Sequence, residues 1–349
     1  MPNLSRYGAY RMPAEWEPQK STWIAWPHNK KDWPGKFRNI PNVFAVITSA
    51  LSKVQLVNIL VNNKSDYGHV VATLKKFGTK LNNIRLINCK TDRSWTRDSL
   101  PIFLKVKNDK KIMSKWQFNA WAKYKNFKND NAINLKISKN KEYKILNIIY
   151  KNKSVTLEGG SIDVNGNGLL LTTKECLLSK IQERNPGLGI KDYTTIFKKI
   201  LGVRKIIWLE KGISGDDTHG HIDDVARFVS KNKVFLAVEN NKKDKNFKNL
   251  KKNLDILNKT IIDKKKLKII KIPMPSPKII KGTRVPVTYL NFYIANKIVL
   301  VPVFNDAKDK IVINIFKKNF KSRKIIPINC SELIWGFGAI HCMTQQEPN

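Results

Sequence analysis

Short apolar runs, polar turns and stretches at helical spacing alternate along the whole chain. Val43, Val46, Ile47 and Leu51 fall on one helical face and predict a helix over 36–54. Val54–Val61 runs apolar like a buried strand, Tyr67–Phe77 returns to helical spacing, and Ile84–Cys89 is a second short strand. Upstream, prolines forbid a long helix in Met12–Gln19, so that segment reads as an irregular entry, with Trp23–Trp26 as a short strand.

A repeated unit follows. Ser94–Pro101 leads into the apolar run Ile102–Val106 and the polar turn Lys107–Lys111. Glu158–Val164 leads into the turn Asn165–Gly168 and then Leu169–Leu171. His221–Val229 precedes Ser230–Lys233 and Val234–Val238, and Tyr289–Ile294 precedes Ala295–Lys297 and Ile298–Val303. A polar head, a strand, a tight Asn/Gly/Lys turn and a second strand make a β-hairpin. The turns sit near residues 108, 166, 231 and 296, a period of roughly 65 residues, which divides 349 residues into about five units. Helical stretches are expected between them at Thr173–Gln182, Tyr193–Leu201 and Phe247–Lys259. The fold class is therefore α/β, a closed ring of five mixed units around a channel lined by the polar heads. No linker divides the chain, so 1–349 is expected to be a single domain. Residues 107–153 and 239–271, rich in Lys and Asn, are expected at the surface.

Composition changes this picture in one respect. The net charge is +38, from 65 Lys+Arg against 27 Asp+Glu. The lysines are spread along the chain with Asn and Ile, without a stripe interleaved with aromatics, so nucleic-acid binding is not favoured as the main function. Against that background Gly215–Asp224 carries four Asp and no Lys or Arg. An acidic pocket in a basic protein selects a cation against its own surface field. There is no run of about eighteen apolar residues to span a membrane, and Met1–Tyr7 lacks the apolar core of a signal peptide. The four cysteines are scattered and form no Cys-x-x-Cys pair, which points to a reducing cytoplasm and free thiols.

If the units close into a ring, their heads bring Trp95, Asp98, Glu158, His221, Asp223 and finally Cys342 to one axis. Paired carboxylates match the planar fork of a guanidinium, and a Trp face adds cation–π attraction. A thiolate beside a bound guanidinium can attack its central carbon while a histidine moves protons. Asp217 is a candidate for the cationic tail of such a ligand. Cys89, Cys176 and Cys330 read as buried structural thiols. Arg97 is expected in a buried ion pair, and Asp163 faces either the channel or the core. His219-x-His221 with Asp223 has the look of a metal-ligand set, but the guanidinium reading already accounts for these residues. His341 is expected to point away from the channel, because neighbours on a strand face opposite ways and Cys342 points in.

Taken in order, Pro13–Gln19, Trp23–Pro27, Trp95-Thr96-Arg97-Asp98, Leu157-Glu158-Gly159-Gly160, Gly215–Phe228 and Ile340–Gln346 resemble the agmatine deiminases, within the peptidylarginine-deiminase-like group of guanidine-modifying enzymes. The resemblance implies a five-bladed α/β propeller, the pentein fold. It implies Cys342 as nucleophile, His221 as general acid/base, Asp98 and Asp223 as holders of the guanidinium, Glu158 as a binding or polarising group and Trp95 in the pocket wall. The implied reaction converts agmatine and water to N-carbamoylputrescine and ammonia, in putrescine synthesis, with no metal or organic cofactor. A homo-oligomer is a further expectation from the family. An arginine or peptidylarginine deiminase is the alternative, and a basic nucleic-acid-binding protein that has lost activity is the non-enzymatic one. The chain departs from the family's usual Gly-Gly-Gly-Asn before Ile-His-Cys, reading Gly336-Phe337-Gly338-Ala339 instead.

Overall fold

Five sheets share one plan in the computed structural model, which describes residues 10–106, 110–138 and 143–349. In four of them an antiparallel hairpin is followed by a parallel third strand: Ile102–Lys105, Lys111–Lys115 and Lys144–Asn147; Asp163–Val164, Leu169–Thr173 and Lys205–Leu209; Ala226–Ser230, Lys233–Val238 and Lys268–Pro273; Tyr293–Ile294, Ile298–Val303 and Lys324–Asn329. A parallel strand cannot be reached by a tight turn, so each of these units spends a helix on the crossover. These helices are Lys128–Ser138, Ile190–Leu201, Phe247–Lys259 and Asp309–Asn319. The fifth sheet places Gln19–Ala25 between Leu56–Val61, parallel to it, and Gln345–Pro348, antiparallel to it, with Ile84–Asn88 outside. Its hairpin partner thus comes from the far end of the chain.

The expected period is present as five sheets, and the expected helices largely coincide with Ile40–Ser52, Tyr67–Lys76, Ile190–Leu201 and Phe247–Lys259. Three expectations need correction. The helix expected over Thr173–Gln182 is only Lys174–Leu178, because the backbone turns extended at Ser179 (φ −70°, ψ 146°). The lysine-rich stretch 107–153 is not all surface, since Trp116, Phe118 and Trp121 are buried. The Cys342 segment is not a strand: it is a 3-10 turn over Leu333–Gly336 followed by further turns up to Gln345–Pro348. The turn expected near residue 108 and the stretch Met1–Tyr7 lie outside the described residues. Among the described residues no helix is long and apolar enough to cross a membrane.

The central strands read as near-continuous apolar runs because both their faces are covered. Leu169–Thr173 is buried throughout, and Lys233–Val238 is buried from Val234 to Ala237. Helix Ile190–Leu201 starts with the Asp192 carboxylate accepting from Gly189 N (3.0 Å) and ends at Gly202 in the left-handed region, φ +68°. A Cβ there would meet the Tyr10 carbonyl oxygen at 2.3 Å, so only glycine lets this helix end against the entry segment.

Candidate active site

Each polar head is a tight turn at the start of its sheet. Asp98 sits in the one-turn helix Thr96–Ser99, Glu158 caps the turn Gly159–Ser161, and His221 caps the turn Ile222–Asp224 that carries Asp223. These turns interlock. Gly160 N donates to Asp98 Oδ1 (3.0 Å), Arg97 N donates to the Cys342 carbonyl (3.1 Å), and Thr96 Oγ1 donates to the Met343 carbonyl (2.8 Å). Asp216 holds His221 from below by accepting from the backbone N–H groups of Gly220 (2.6 Å) and His221 (3.0 Å). A Cβ on Gly160 would lie 2.6 Å from His221 Nδ1, 2.9 Å from Asp98 Oδ1 and 3.0 Å from Asp223 Oδ2. The glycine is what lets three catalytic-type side chains converge.

Cys342 lies at the floor of a cavity of about 510 Å³, lined also by Trp95, Asp98, Trp121, Asp217 and Phe337. Asn291 reaches it from the head of the last unit: its Nδ2 is 3.1 Å from Cys342 Sγ, and its Oδ1 accepts from the backbone N–H of His341 (3.0 Å) and Cys342 (3.2 Å). Cys342 Sγ is 4.0 Å from Asp223 Oδ2. His221 Nδ1 lies 3.9 Å from Asp98 Oδ2 and 4.0 Å from Asp223 Oδ1, and its Nε2 lies 3.9 Å from Glu158 Oε2. Glu158 Oε2, Asp223 Oδ1 and both ring nitrogens of His221 are buried without a hydrogen-bond partner. A folded protein rarely leaves such groups unsatisfied unless a ligand completes them. Two of the four are carboxylate oxygens, so the missing partner is a donor, and a cation fits best.

The charges are set by this crowding. Burial works against a charged His221, but the carboxylate of Asp98, with Cys176 and Asp223, more than offsets it and raises the ring's pKa well above its ordinary value. Burial, together with Asp223, Asp224 and Asp98, pushes the Cys342 thiol well above its usual range. Burial, Asp223 and Glu158 raise Asp98, against the opposing field of His221. Asp223 ends up lowered: burial opposes its ionisation, but a hydrogen bond from His341, His221 and Arg227 outweigh it.

His341 does not point away from the channel. With no strand alternation to turn it outward, its Nδ1 lies 2.6 Å from Asp223 Oδ2 and its Nε2 2.8 Å from Glu15 Oε2. Glu15 also meets Arg227 (2.9 Å) and Arg97 (3.4 Å), so Arg97 makes the buried ion pair expected of it. Asp163 turns to the core side, where it binds Arg227 Nε (2.6 Å) and the backbone N–H of Phe228 (2.7 Å). Asp217 reaches the cavity but is matched by Lys123 and by Tyr124 Oη, which donates at 2.6 Å. The set His219, His221 and Asp223 does not assemble, because His219 Nε2 pairs with Ser179 Oγ at 3.0 Å.

Sequence reading missed Glu15, Trp121, Arg184 and Asn291. Trp121 Nε1 donates to Asp98 Oδ2 (2.9 Å) from a turn in which Ala120, Trp121 and Ala122 all have φ near +50 to +60°. Such strain in residues other than glycine gathers at functional sites. Arg184 Nε donates to Glu158 Oε1 (3.0 Å) and fixes that carboxylate. Phe337, the unusual residue of the glycine-rich turn, is also left-handed at φ +63° and lines the cavity. Its neighbours have no freedom: a Cβ at Gly336 would lie 2.6 Å from Trp33 Nε1, and one at Gly338 2.8 Å from Trp95 Cζ3.

The sequence and fold match known proteins over nearly their full length. A Mycoplasma capricolum protein with the provisional name agmatine deiminase is 32% identical, the match covering 100% of this chain and 98% of that one. A Legionella pneumophila protein with the same provisional name is 32% identical over 98% and 96%. Among solved structures, the C. jejuni agmatine deiminase with substrate bound superposes with a TM-score of 0.87 at 30% identity, covering 97% and 96%. The Enterococcus faecalis agmatine deiminase gives a TM-score of 0.87 at 28% identity, covering 98% and 96%. The fold is the pentein, and the family model for Porphyromonas-type peptidyl-arginine deiminases matches residues 11–348. The chain belongs to the Porphyromonas-type peptidyl-arginine deiminase family.

Proposed function

We propose that this chain is an agmatine deiminase, hydrolysing agmatine to N-carbamoylputrescine and ammonia as a step toward putrescine. The observation that carries the reading is the group of unpartnered buried atoms on Glu158, Asp223 and His221 beside the Cys342 thiol, a cradle that lacks a planar cation. The names of the relatives at about one-third identity support the substrate. Asp98 and Asp223 hold the guanidinium, Trp95 and Trp121 wall it in, and Glu158, fixed by Arg184, faces His221. The thiol is kept protonated by burial and by its carboxylate neighbours until the cationic substrate offsets their field. Substrate binding therefore prepares its own nucleophile.

In the reaction, the thiol proton passes to solvent as the cationic substrate binds, and Cys342 Sγ bonds to the guanidinium carbon while the C=N π pair moves to nitrogen. His221 protonates one nitrogen, the C–N bond breaks and ammonia leaves. Water then attacks the thiouronium carbon and gives a proton to His221. The C–S bond then breaks as the hydroxyl proton of the adduct passes to sulfur, which leaves the urea product and the free thiol. No metal or cofactor takes part. Asn291 positions the sulfur and the backbone around it. We take residues 1–349 as one catalytic domain, working as a cytoplasmic homo-oligomer without nucleic acid.

A second reading, an arginine deiminase, is favoured by one observation: Arg93 and Lys31 line the cavity and suit the carboxylate that free arginine brings. The deciding experiment measures ammonia release from agmatine, arginine and an arginyl peptide with wild type and Cys342→Ala. Agmatine is expected to lead, with turnover lost in the variant. A preference for arginine, or turnover surviving in Cys342→Ala, overturns the proposal.

A further inference from the structure

Beside His221 lies a thiol that the reaction does not use. Cys176 sits in helix Lys174–Leu178, where its N–H donates to the capping Thr173 Oγ1 (3.0 Å). That hydroxyl donates in turn to the Gly220 carbonyl (2.5 Å), which ties the helix to the His221 turn. One ligand atom each from Glu158, Cys176 and His221 lies within 4.8 Å of the other two, and all three residues are buried. Two of those residues have an open coordination position, since Glu158 Oε2 and His221 Nε2 are unpartnered and 3.9 Å apart. Donors around a tetrahedral zinc stand about 3.3–3.8 Å apart, given its usual bond lengths of about 2.0–2.3 Å, so the three need to close by only about an ångström.

The surroundings are also those of a metal site. Glu158 is held by its other oxygen through Arg184 Nε (3.0 Å), which leaves Oε2 free to bind. The other nitrogen of His221 has the carboxylates of Asp98 (3.9 Å) and Asp223 (4.0 Å) nearby, whose charge favours a cation on the ring without a hydrogen bond to it. A thiol, an imidazole and a carboxylate together favour a borderline-soft ion over magnesium or calcium.

We propose that Glu158, Cys176 and His221 form an inhibitory site for a thiophilic divalent cation, zinc, which shuts the enzyme down by taking the Nε2 lone pair of His221. The thiol proton passes to solvent as the sulfur binds, and water fills the fourth position. While the metal is bound, His221 can neither give nor take the proton that deimination needs. Binding does not depend on the proposed reaction; only the inhibition does.

The test uses the full chain carrying Cys342→Ala, which removes the nucleophile as a competing ligand, and cobalt(II) as a visible stand-in for zinc. One equivalent of cobalt should give thiolate-to-metal charge-transfer absorption that zinc bleaches. Adding Cys176→Ser should abolish the band, and Glu158→Gln should weaken cobalt binding by about 10-fold or more. Cys89 and Cys330 stay in every variant and serve as internal controls. Melting curves show that each variant is folded, and Glu158→Gln decides the matter should Cys176→Ser not fold. Absence of the band in Cys342→Ala, or its survival when Cys176 is replaced, overturns the site. With a functioning Cys342, half-inhibition of ammonia release by zinc should need at least about 10-fold more metal in Cys176→Ser, each protein scaled to its own metal-free rate. Because the absorption is read without turnover, failure of the site and failure of the agmatine reading are separable.

Discussion

The floor of the cavity and its wall carry the same kinds of residue in opposite electrical states. At the floor, carboxylate oxygens of Glu158 and Asp223 and both nitrogens of His221 are buried without partners. Elsewhere on the cavity wall, each carboxylate already has a cation: Asp32 meets Arg93 (2.5 Å), which also lies over the Tyr124 ring at 4.3 Å, and Asp217 meets Lys123, although Asp32 Oδ2 and Arg93 Nε remain unpartnered. The floor is built around a charge that must arrive from outside; the wall supplies its own. Discrimination should therefore be concentrated on the guanidinium end of the substrate, and the tail should be read weakly.

The largest effect should come from the floor. Asp98→Asn or Asp223→Asn removes one charge facing the buried cation and should lower kcat/KM for agmatine by roughly 10²–10⁴-fold, as breaking a buried pair costs about 3–5 kcal/mol. A loss below tenfold in both would mean that the floor does not carry recognition. Next, Asn291→Ala leaves the guanidinium cradle intact but frees the Cys342 sulfur and backbone. Steady-state kinetics should show kcat falling by about 10–100-fold with little change in KM. An effect confined to KM would place Asn291 in binding instead. At the cavity wall, Asp217→Asn should raise KM only about 3–10-fold, since a partly buried carboxylate already paired with Lys123 has little charge to spare. Lys123→Met should lower KM slightly by freeing Asp217, and an increase would show that the lysine itself contacts the tail.

The smallest effect concerns stability rather than turnover, and it separates the two regions by pH. Asp130 accepts from the backbone N–H groups of Asp92 (2.7 Å) and Arg93 (3.4 Å), the latter on the wall. Burial, only partly offset by those bonds, pushes its pKa up to about 7. Between roughly pH 4 and 7 the folded chain keeps a proton that the unfolded chain has released, so the stability this group contributes falls as pH rises through that window. Asp32, pushed up to about 6 by burial against the opposing Arg93, acts in the same direction. Asp130→Asn should therefore flatten the decline between pH 5 and 8 by up to ~3 kcal/mol in urea titrations, leaving the Asp32 part. A slope unchanged by the substitution would show that Asp130 is ionised in the folded protein throughout.

Much of this was legible in the sequence, for physical reasons. Hairpins advertise themselves through alternation and turn residues, so the central strands and the period of the five units could be read directly. The third strand of the other four units could not, although Ile84–Asn88 in the fifth sheet could. Lys268–Pro273 and Lys324–Asn329 are half-exposed outer strands in which lysine and isoleucine mix. Their pattern merges with the lysine-rich background. At the site, acids and histidine on turn heads stood out, whereas Glu15 and Asn291 did not, because nothing local marks a residue whose partners lie 326 or 51 positions away. The error at His341 came from assuming strand alternation in a segment that is all turns, where successive side chains can converge.

Strand Gln345–Pro348 begins three residues after Cys342 and must pair with Gln19–Ala25 before the loop between them is held at both ends. On the ribosome, the acids of the floor are therefore made long before the sulfur that completes them. An emerging chain holds an open acidic half-site, and on the proposed reaction Cys342 is aligned only once Gln345–Pro348 has left the exit tunnel. Catalytic competence and ring closure then become the same event, so the appearance of activity during synthesis reports topology as much as chemistry.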